Sequence, residues 1–260
     1  MEFIDTHTHI FLEEFDPDRE KVIAEALSNS INKLFIPNID SSSLQKVIEL
    51  SKNYPKNIFP MIGLHPTSVK GNFEEELKVV SDYLEKEKFY GIGETGIDLY
   101  WDKTFLEEQK KSFGFQIELA KKYRLPVIIH VRNSFNEVFE IVDRMNDENL
   151  TGIFHCFSGN LDQAKKIMDY GGFKLGIGGV VTFKNSGLSE VLSNVSPEHL
   201  VLETDAPYLA PVPWRGKRNE PSYLINVAKK LAEIYATDIE KVAEITSRNA
   251  MSVFKTENII

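Results

Sequence analysis

Residues 3–10 read FIDTHTHI, a short apolar run that leads into two histidines, His7 and His9. Side chains of an extended chain alternate between its two faces, so histidines two positions apart point the same way. Four further apolar runs lead into other residues that bind metals well: Glu94 after FYGIG, His130 after PVII, His155 after TGIF and Asp205 after LVLET. If these runs are parallel strands of one barrel, their carboxyl ends meet at one mouth. Four imidazoles and two carboxylates there predict a binuclear metal site.

Strand-like and helix-like segments alternate along the whole chain. The strand-like runs lie near residues 2–6, 32–37, 58–63, 89–94, 126–131, 151–155, 173–177 and 199–204, and a final helix is expected near 238–255. Strict alternation with short connections favours parallel strands and right-handed crossovers. We therefore predict an α/β fold, a TIM (β/α)8 barrel, as a single domain over residues 1–260. An open doubly wound sheet is the second choice.

Composition excludes some classes of function. Thirty basic and thirty-nine acidic residues give a formal net charge of -9, which opposes extended nonspecific binding to duplex nucleic acid. No apolar run reaches the roughly 18 to 20 residues of a membrane span, and no signal-like segment precedes Phe3. We expect a soluble, cytoplasmic protein with no membrane contact and no obligate protein partner. The single cysteine, Cys156, fits a reducing compartment; we expect a small core residue there, with a soft metal ligand as the alternative.

Donor chemistry leaves the metal open. Neutral imidazole with carboxylate suits Zn²⁺, Mn²⁺, Ni²⁺ or Fe²⁺, whereas a Mg²⁺ site is expected to use more oxygen ligands. Asp205 is the candidate general base, with a role as metal ligand only as the alternative. His65, after the run IFPMIGL, is a candidate donor to a phosphate oxygen or to a leaving group, with a structural histidine before Pro66 as the alternative. Asp98 is expected to bond a ligand histidine or a loop backbone.

Basic and aromatic residues after the strands are candidates for substrate binding. Arg132 follows His130 by two positions, and the segment WRGKRNEP supplies Arg215, Lys217 and Arg218. Guanidinium groups and metal ions commonly clamp phosphoryl groups, while a solvated basic loop is the alternative. Exposed rings can stack nucleobases, although core packing or loop anchoring is the expectation for any single one. These aromatic candidates are Tyr100, Trp101, Tyr208 and Trp214.

Six ordered motifs resemble the TatD family of metal-dependent deoxyribonucleases, within the amidohydrolase-like barrel superfamily. They are DTHTHI (5–10), GLHP (63–66), GETGIDLYW (93–101), PVIIHVR (126–132), HCFSG (155–159) and ETDAPYLAPVPWRGKRNEP (203–221). The resemblance runs from residue 3 to the last helix. Thr67 departs from the family pattern, which usually has a second histidine or similar residue after GLHP.

The resemblance implies a barrel with two divalent ions. One would be held by His7, His9, Glu94 and Asp205, and the other by Glu94, His130 and His155, with Glu94 as the bridge and a catalytic residue. It also implies hydrolysis of DNA phosphodiesters, as a 3'-to-5' exodeoxyribonuclease acting on single-stranded or frayed 3' ends, with Mg²⁺ as a supporting ion. The substrate contacts expected are Arg132, Lys217, Arg218 and Tyr208.

Other functions stay open on sequence grounds. A small-molecule amidohydrolase or esterase could use the same barrel, because one fold hosts many reactions. Against that reading stand Glu94, at a position where many amidohydrolases use a modified lysine, and the basic residues near the mouth. Removal of a D-amino acid from tRNA is a further alternative. A protein that only sequesters metal is disfavoured, because a storage site would be closed rather than open.

Overall fold

The computed structural model describes residues 2–255 and confirms the α/β barrel. All neighbouring strands pair in parallel. The strands are β1 (Phe3–Asp5), β2 (Ile31–Pro37), β3 (Ile58–Met61), β4 (Ile92–Asp98), β5 (Val127–Arg132), β6 (Gly152–Phe154), β7 (Phe173–Ile177) and β8 (Leu200–Leu202). The single-domain prediction over 1–260 reaches beyond the described residues and stays a prediction.

Two seams close the barrel. Strands β1 to β3 and strands β4 to β8 form two hydrogen-bonded sheets. At the first seam the Gly93 amide donates to the Ile62 carbonyl at 2.8 Å, and at the second the Thr6 amide donates to the Leu202 carbonyl at 2.9 Å. The closed barrel therefore replaces the open sheet that was the second choice, and the carboxyl ends of all eight strands share one mouth.

Helices follow the strands in the predicted order. They are α1 (Arg19–Ser28), α2 (Ser41–Asn53), α3 (Phe73–Leu84), α4 (Leu106–Tyr123), α5 (Phe135–Met145), α6 (Leu161–Asp169), α7 (Leu188–Leu192), α8 (Leu224–Ile234) and α9 (Ile239–Phe254). Asp40 and Asn160 begin α2 and α6 with capping boxes, in which side chains satisfy backbone amides that the first turn leaves unpaired. Among residues 2–255, none of the helices combines the length and apolarity that crossing a bilayer requires.

An apolar cluster fills the barrel interior below the mouth. It consists of Ile4, Phe35, Phe59, Met61, Ile128, Ile153 and Val201 from the strands, with Ala250, Val253 and Phe254 from α9. The ring of Phe254 stacks on Phe35 with centroids 3.6 Å apart. Helix α9 therefore closes the end of the barrel opposite the mouth, and we call this set the interior cluster.

One predicted strand boundary is wrong. The run 89–94 was expected to end at Glu94, but β4 begins at Ile92 and continues to Asp98, so Glu94 lies inside the strand. The β4–β5 pairing shifts register between Ile92 and Thr95 and then resumes. Pairing beyond the shift needs Gly96, whose φ is +138° and where a Cβ would lie 2.1 Å from the His130 carbonyl oxygen. His130 likewise lies within β5 rather than at its end.

Candidate metal centre

Strand periodicity places the candidate ligands. On β5 the interior cluster contains Ile128, and His130 lies two residues further along. The same step leads from Ile153 on β6 to His155, and from Val201 on β8 to Glu203. Positions two apart share a face of a strand. The apolar side chains of the barrel interior are therefore followed, one step closer to the mouth, by polar side chains on the same face.

Four donor atoms converge at the first half of the centre. His7 Nε2 lies 3.1 Å from His9 Nε2 and 3.1 Å from Glu94 Oε2. Asp205 Oδ1 lies 3.4 Å from His9 Nε2 and 3.9 Å from His7 Nε2. Donors at the corners of a tetrahedron, about 2.0–2.2 Å from its ion, are about 3.3–3.6 Å apart. The four side chains therefore fit one divalent ion in both distance and chemistry.

The second oxygen of Glu94 faces different imidazoles. Glu94 Oε1 lies 2.6 Å from His130 Nδ1, 3.4 Å from His65 Nε2 and 3.8 Å from His155 Nε2. His155 Nε2 is also 3.6 Å from Asp205 Oδ1. The structure thus brings all six candidate ligands together and adds His65. Glu94 lies between the two groups, with one carboxylate oxygen toward each.

A buried carboxylate lies beside each of two candidate ligands, His130 and His155. Asp98 Oδ2 lies 2.9 Å from His130 Nε2, while Asp98 Oδ1 accepts the amides of Tyr100 and Trp101, so Asp98 does both things expected of it. Glu203 Oε1 lies 3.1 Å from His155 Nδ1. The hydrogen bond with Asp98 orients the His130 ring and fixes which of its nitrogens faces a metal, whereas Glu203 is an ion-pair contact of His155.

Sequence reasoning missed Glu203. Its side chain is fully buried, and its Oε1 accepts the Cys156 amide at 2.5 Å. Gly176 makes room for it, because a Cβ there would lie 2.3 Å from Glu203 Oε2. The available signal was position, since Glu203 follows Val201 of the interior cluster by two residues.

The pKa values of the histidines are shifted in opposite directions. Burial, together with the neighbouring His155, lowers the pKa of His7 to about 3, which leaves that ring neutral. Burial opposes charge on His130, but hydrogen bonds with Asp98 and Glu94 outweigh it and raise the pKa to about 9. Burial also opposes charge on His155, but the carboxylates of Glu203, Glu94 and Asp205 raise its pKa to about 10. Since only neutral imidazole binds a metal, an ion here displaces those protons.

Thr67 fixes the tautomer of His65. The Thr67 amide donates to His65 Nδ1 at 3.1 Å, and the Thr67 hydroxyl lies 2.6 Å from the same nitrogen. Burial lowers the pKa of His65, so the ring is neutral and carries its proton on Nε2. That N–H faces Glu94 and is a hydrogen-bond donor, not a free metal ligand.

Backbone conformation is unusual at two site residues. Asp205 has φ 56° and Cys156 has φ 48°, the left-handed region that costs non-glycine residues about 1–3 kcal/mol. Hydrogen bonds hold both: the Asp205 amide donates to the His7 carbonyl at 2.9 Å, and the Cys156 amide donates to Glu203.

Cys156 lies half-buried at the mouth, not in the core as expected. Burial and the nearby carboxylates of Asp205 and Glu203 raise the pKa of its thiol well above the usual range. A cysteine that binds metal is a thiolate, so nitrogen and oxygen donors dominate this centre.

The candidate substrate contacts separate into two kinds. Arg132, Lys217 and Tyr208 are exposed, and within residues 2–255 neither Arg132 nor Lys217 has a carboxylate partner. Arg218 differs, because its guanidinium forms two hydrogen bonds with Asp18, a third with Glu220 and a fourth with the Glu14 carbonyl. Those donors join the β8–α8 loop to the start of α1. These contacts give Arg218 a structural part, and its expected contact with substrate stays a prediction.

Trp214 is anchored rather than free. Its ring stacks on Tyr223 at 4.9 Å with planes 9° apart, and Lys217 Nζ lies 5.3 Å from its centroid. Tyr208 is 48% exposed, with its ring 6.2 Å from that of His9. Of these two loop aromatics, only Tyr208 is left free beside the candidate ligands.

Known proteins are similar to this chain in sequence and in fold. The TatD-related DNase family matches residues 4–255. An uncharacterized metal-dependent hydrolase of Bacillus subtilis, YabD, is 38% identical over 252 residues, covering 96% of this chain and 98% of YabD. The crystal structure of the Escherichia coli TatD homologue YjjV superposes with a TM-score of 0.91 at 30% identity, over 97% of this chain and 98% of that one. A TatD family hydrolase of Entamoeba histolytica, at 22% identity and TM-score 0.82, shares the fold. Because the family match spans residues 4–255 and the relatives are metal-dependent hydrolases, the chain belongs to the TatD-related DNase family and is a metal-dependent hydrolase.

Proposed function

We propose that the protein is a binuclear phosphodiesterase that removes nucleotides from 3' ends of single-stranded or frayed DNA. The observation that carries this proposal is the placement of Glu94. Its Oε2 lies 3.1 Å from His7 Nε2, while its Oε1 lies 2.6 Å from His130 Nδ1. A carboxylate shared between two imidazole groups suits a pair of ions about 4 Å apart, the arrangement used for in-line displacement at phosphorus.

Several residues have defined parts in that reaction. Two divalent ions, with Mg²⁺, Zn²⁺, Mn²⁺ and Ni²⁺ as candidates, would lower the pKa of a bound water and neutralise phosphate charge. We assign to Asp205 the proton of the attacking water, whose oxygen forms the new P–O bond. The bond to the 3' oxygen then breaks, and solvent protonates that oxygen. Glu94 and the histidines hold the geometry.

His65 contributes a hydrogen bond rather than a proton. With Nδ1 accepting from Thr67, a neutral ring can offer only its Nε2–H, which it does not release at neutral pH. We assign it to a phosphate oxygen, where a preorganised donor stabilises the charge that develops during attack. Of the two roles expected for His65, protonation of the leaving group is thereby disfavoured.

Charge distribution supports an end rather than an internal site. The formal net charge of -9 opposes the approach of a duplex, whereas Arg132 and Lys217 offer exposed cations without carboxylate partners in the described part of the chain. A barrel mouth accepts one strand end more readily than two paired strands. The lone Cys156 fits a reducing compartment, and we propose that the protein acts in the cytoplasm.

The deciding experiment compares a 5'-labelled single strand with the same strand closed into a circle. We expect mononucleotides to be released one by one from the linear strand, more slowly from a blunt duplex, and not at all from the circle. The Glu94→Ala protein is the inactive control. Efficient cutting of the circle would refute end-directed action, and turnover of amides or carboxylic esters without any DNA cleavage would refute a phosphodiesterase.

A further inference from the structure

Two large aromatic rings stand exposed side by side beside the metal centre. Trp101 is 68% exposed and Tyr100 is 55% exposed, with ring centroids 4.9 Å apart and planes 88° apart, so a base can stack on one ring while it contacts the edge of the other. The Arg132 guanidinium carbon lies 4.0 Å from the Tyr100 centroid and 5.3 Å from that of Trp101. We call these three side chains the aromatic platform.

The backbone beneath the platform is tied to the candidate ligands. Asp98 Oδ1 accepts the amide of Tyr100 at 2.9 Å and that of Trp101 at 3.2 Å. Asp98 Oδ2 lies 2.9 Å from His130 Nε2, and the Asp98 side chain is only 1% exposed. A single buried carboxylate thus joins the platform to the centre and fixes the separation between them.

Exposure distinguishes these rings from the aromatic residues that serve packing. One face of the Trp214 ring stacks on Tyr223, and this contact anchors the loop. Trp101 and Tyr100 keep most of their surface in solvent, and the cation beside them has no carboxylate partner within residues 2–255. Aromatic faces and an unpaired guanidinium together are the chemistry that binds a nucleobase and its phosphate.

We propose that the aromatic platform stacks the base of the terminal nucleotide while Arg132 contacts its backbone phosphate. The proposal rests on the proposed function and extends it, since it assigns base recognition without sequence preference. Every base has a stackable face, so the platform holds any terminal nucleotide at one distance from the Glu94 carboxylate. A second copy of the chain covering the rings is the competing occupant.

The test compares two oligonucleotides that differ only at the 3'-terminal residue, one with a base and one abasic. In the wild-type protein we expect kcat/KM to be roughly 5- to 150-fold higher with the base, the range for loss of one stacked base. In the Tyr100→Ala, Trp101→Ala double variant the ratio should fall to near one. Phe115→Ala, which removes a ring 38% exposed on α4, should keep the wild-type ratio, and Trp101→Phe should keep most of it.

Fluorescence gives a readout that does not need turnover. The chain has two tryptophans, so Trp214→Phe leaves Trp101 as the only one. In that variant with Asp205→Asn added and metal present, the oligonucleotide with a terminal base should quench Trp101, and the abasic one should not.

Each failure has its own signature. DNA cleavage with an equal base-to-abasic ratio in the wild-type and double-variant proteins would overturn the platform and leave the proposed function standing. No DNA cleavage by the wild-type protein would overturn the proposed function, and equal quenching by the two strands would then overturn the platform as well. A lower sedimentation coefficient in the double variant, with an unchanged ratio, would assign the rings to contact between copies.

Discussion

Glu94 makes the sharpest prediction at the scale of single residues. Because its two oxygens face different imidazole groups, Glu94→Ala should lose both ions and all hydrolysis, whereas His155→Ala should empty mainly one site. Elemental analysis of purified protein measures this. Five of the six histidines lie at the centre, so His199→Ala is a matched control that should keep its full metal content. Two ions retained by Glu94→Ala would contradict the bridge.

A substitution at Asp205 can distinguish a role as metal ligand from a role as general base. Asp205→Asn keeps the size and one oxygen of the side chain but removes the charge that accepts a proton. We expect turnover to fall about a hundredfold or more, the size of a general-base contribution, with metal content largely kept. Steady-state kinetics on metal-quantified protein measure both. Near-normal turnover with full metal occupancy would leave Asp205 without a part in the chemistry.

At the scale of elements, alternation was enough to predict the barrel. All eight strands overlap the predicted strand-like runs, and the last helix, α9, agrees with the expected range 238–255 to within one residue at each end. The interior positions also followed, because a period of two from His130 or His155 leads back to apolar residues of the interior cluster. The position of a residue along its strand was therefore enough to predict most of the candidate site.

Three features could not be read from the sequence, each for a physical reason. The extension of β4 past Glu94 depends on a register shift and on space at Gly96, which only the neighbouring strand reveals. The stacking of Trp214 on Tyr223 pairs two residues within a loop whose path is irregular. Arg218 resembles its basic neighbours until Asp18, 200 positions earlier, is seen beside it.

The β8–α8 loop therefore contains two basic residues with different expected roles. Arg218→Ala should lower the free energy of unfolding by about 1 kcal/mol, or the melting temperature by about 2–4 °C, because a bidentate ion pair to α1 is lost. Lys217→Ala should leave the melting temperature unchanged and raise the KM for DNA. Calorimetry and initial-rate kinetics on both variants measure the contrast. The reverse pattern would show that Arg218, not Lys217, meets substrate.

At the scale of the whole molecule, the acidic surface and the basic mouth act together. A net charge of -9 opposes the approach of nucleic acid at long range, whereas cations without carboxylate partners attract it locally. In the described residues these cations include Arg132 at the carboxyl end of β5 and Lys217 in the β8–α8 loop. Binding should accordingly be local and short, covering a strand end instead of a long stretch of backbone.

Helix α9 closes the barrel opposite the mouth and thereby limits the routes by which a product can leave. With Phe254 stacked on Phe35, the described residues 2–255 close the barrel opposite the mouth, so under the proposed function a cleaved nucleotide would leave by the route along which the shortened strand arrives. Added mononucleotide should therefore act as a competitive inhibitor, raising the apparent KM for DNA while kcat stays constant. Initial rates at several nucleotide concentrations measure this, and a fall in kcat with unchanged KM would mean that the nucleotide binds at a site that DNA leaves free.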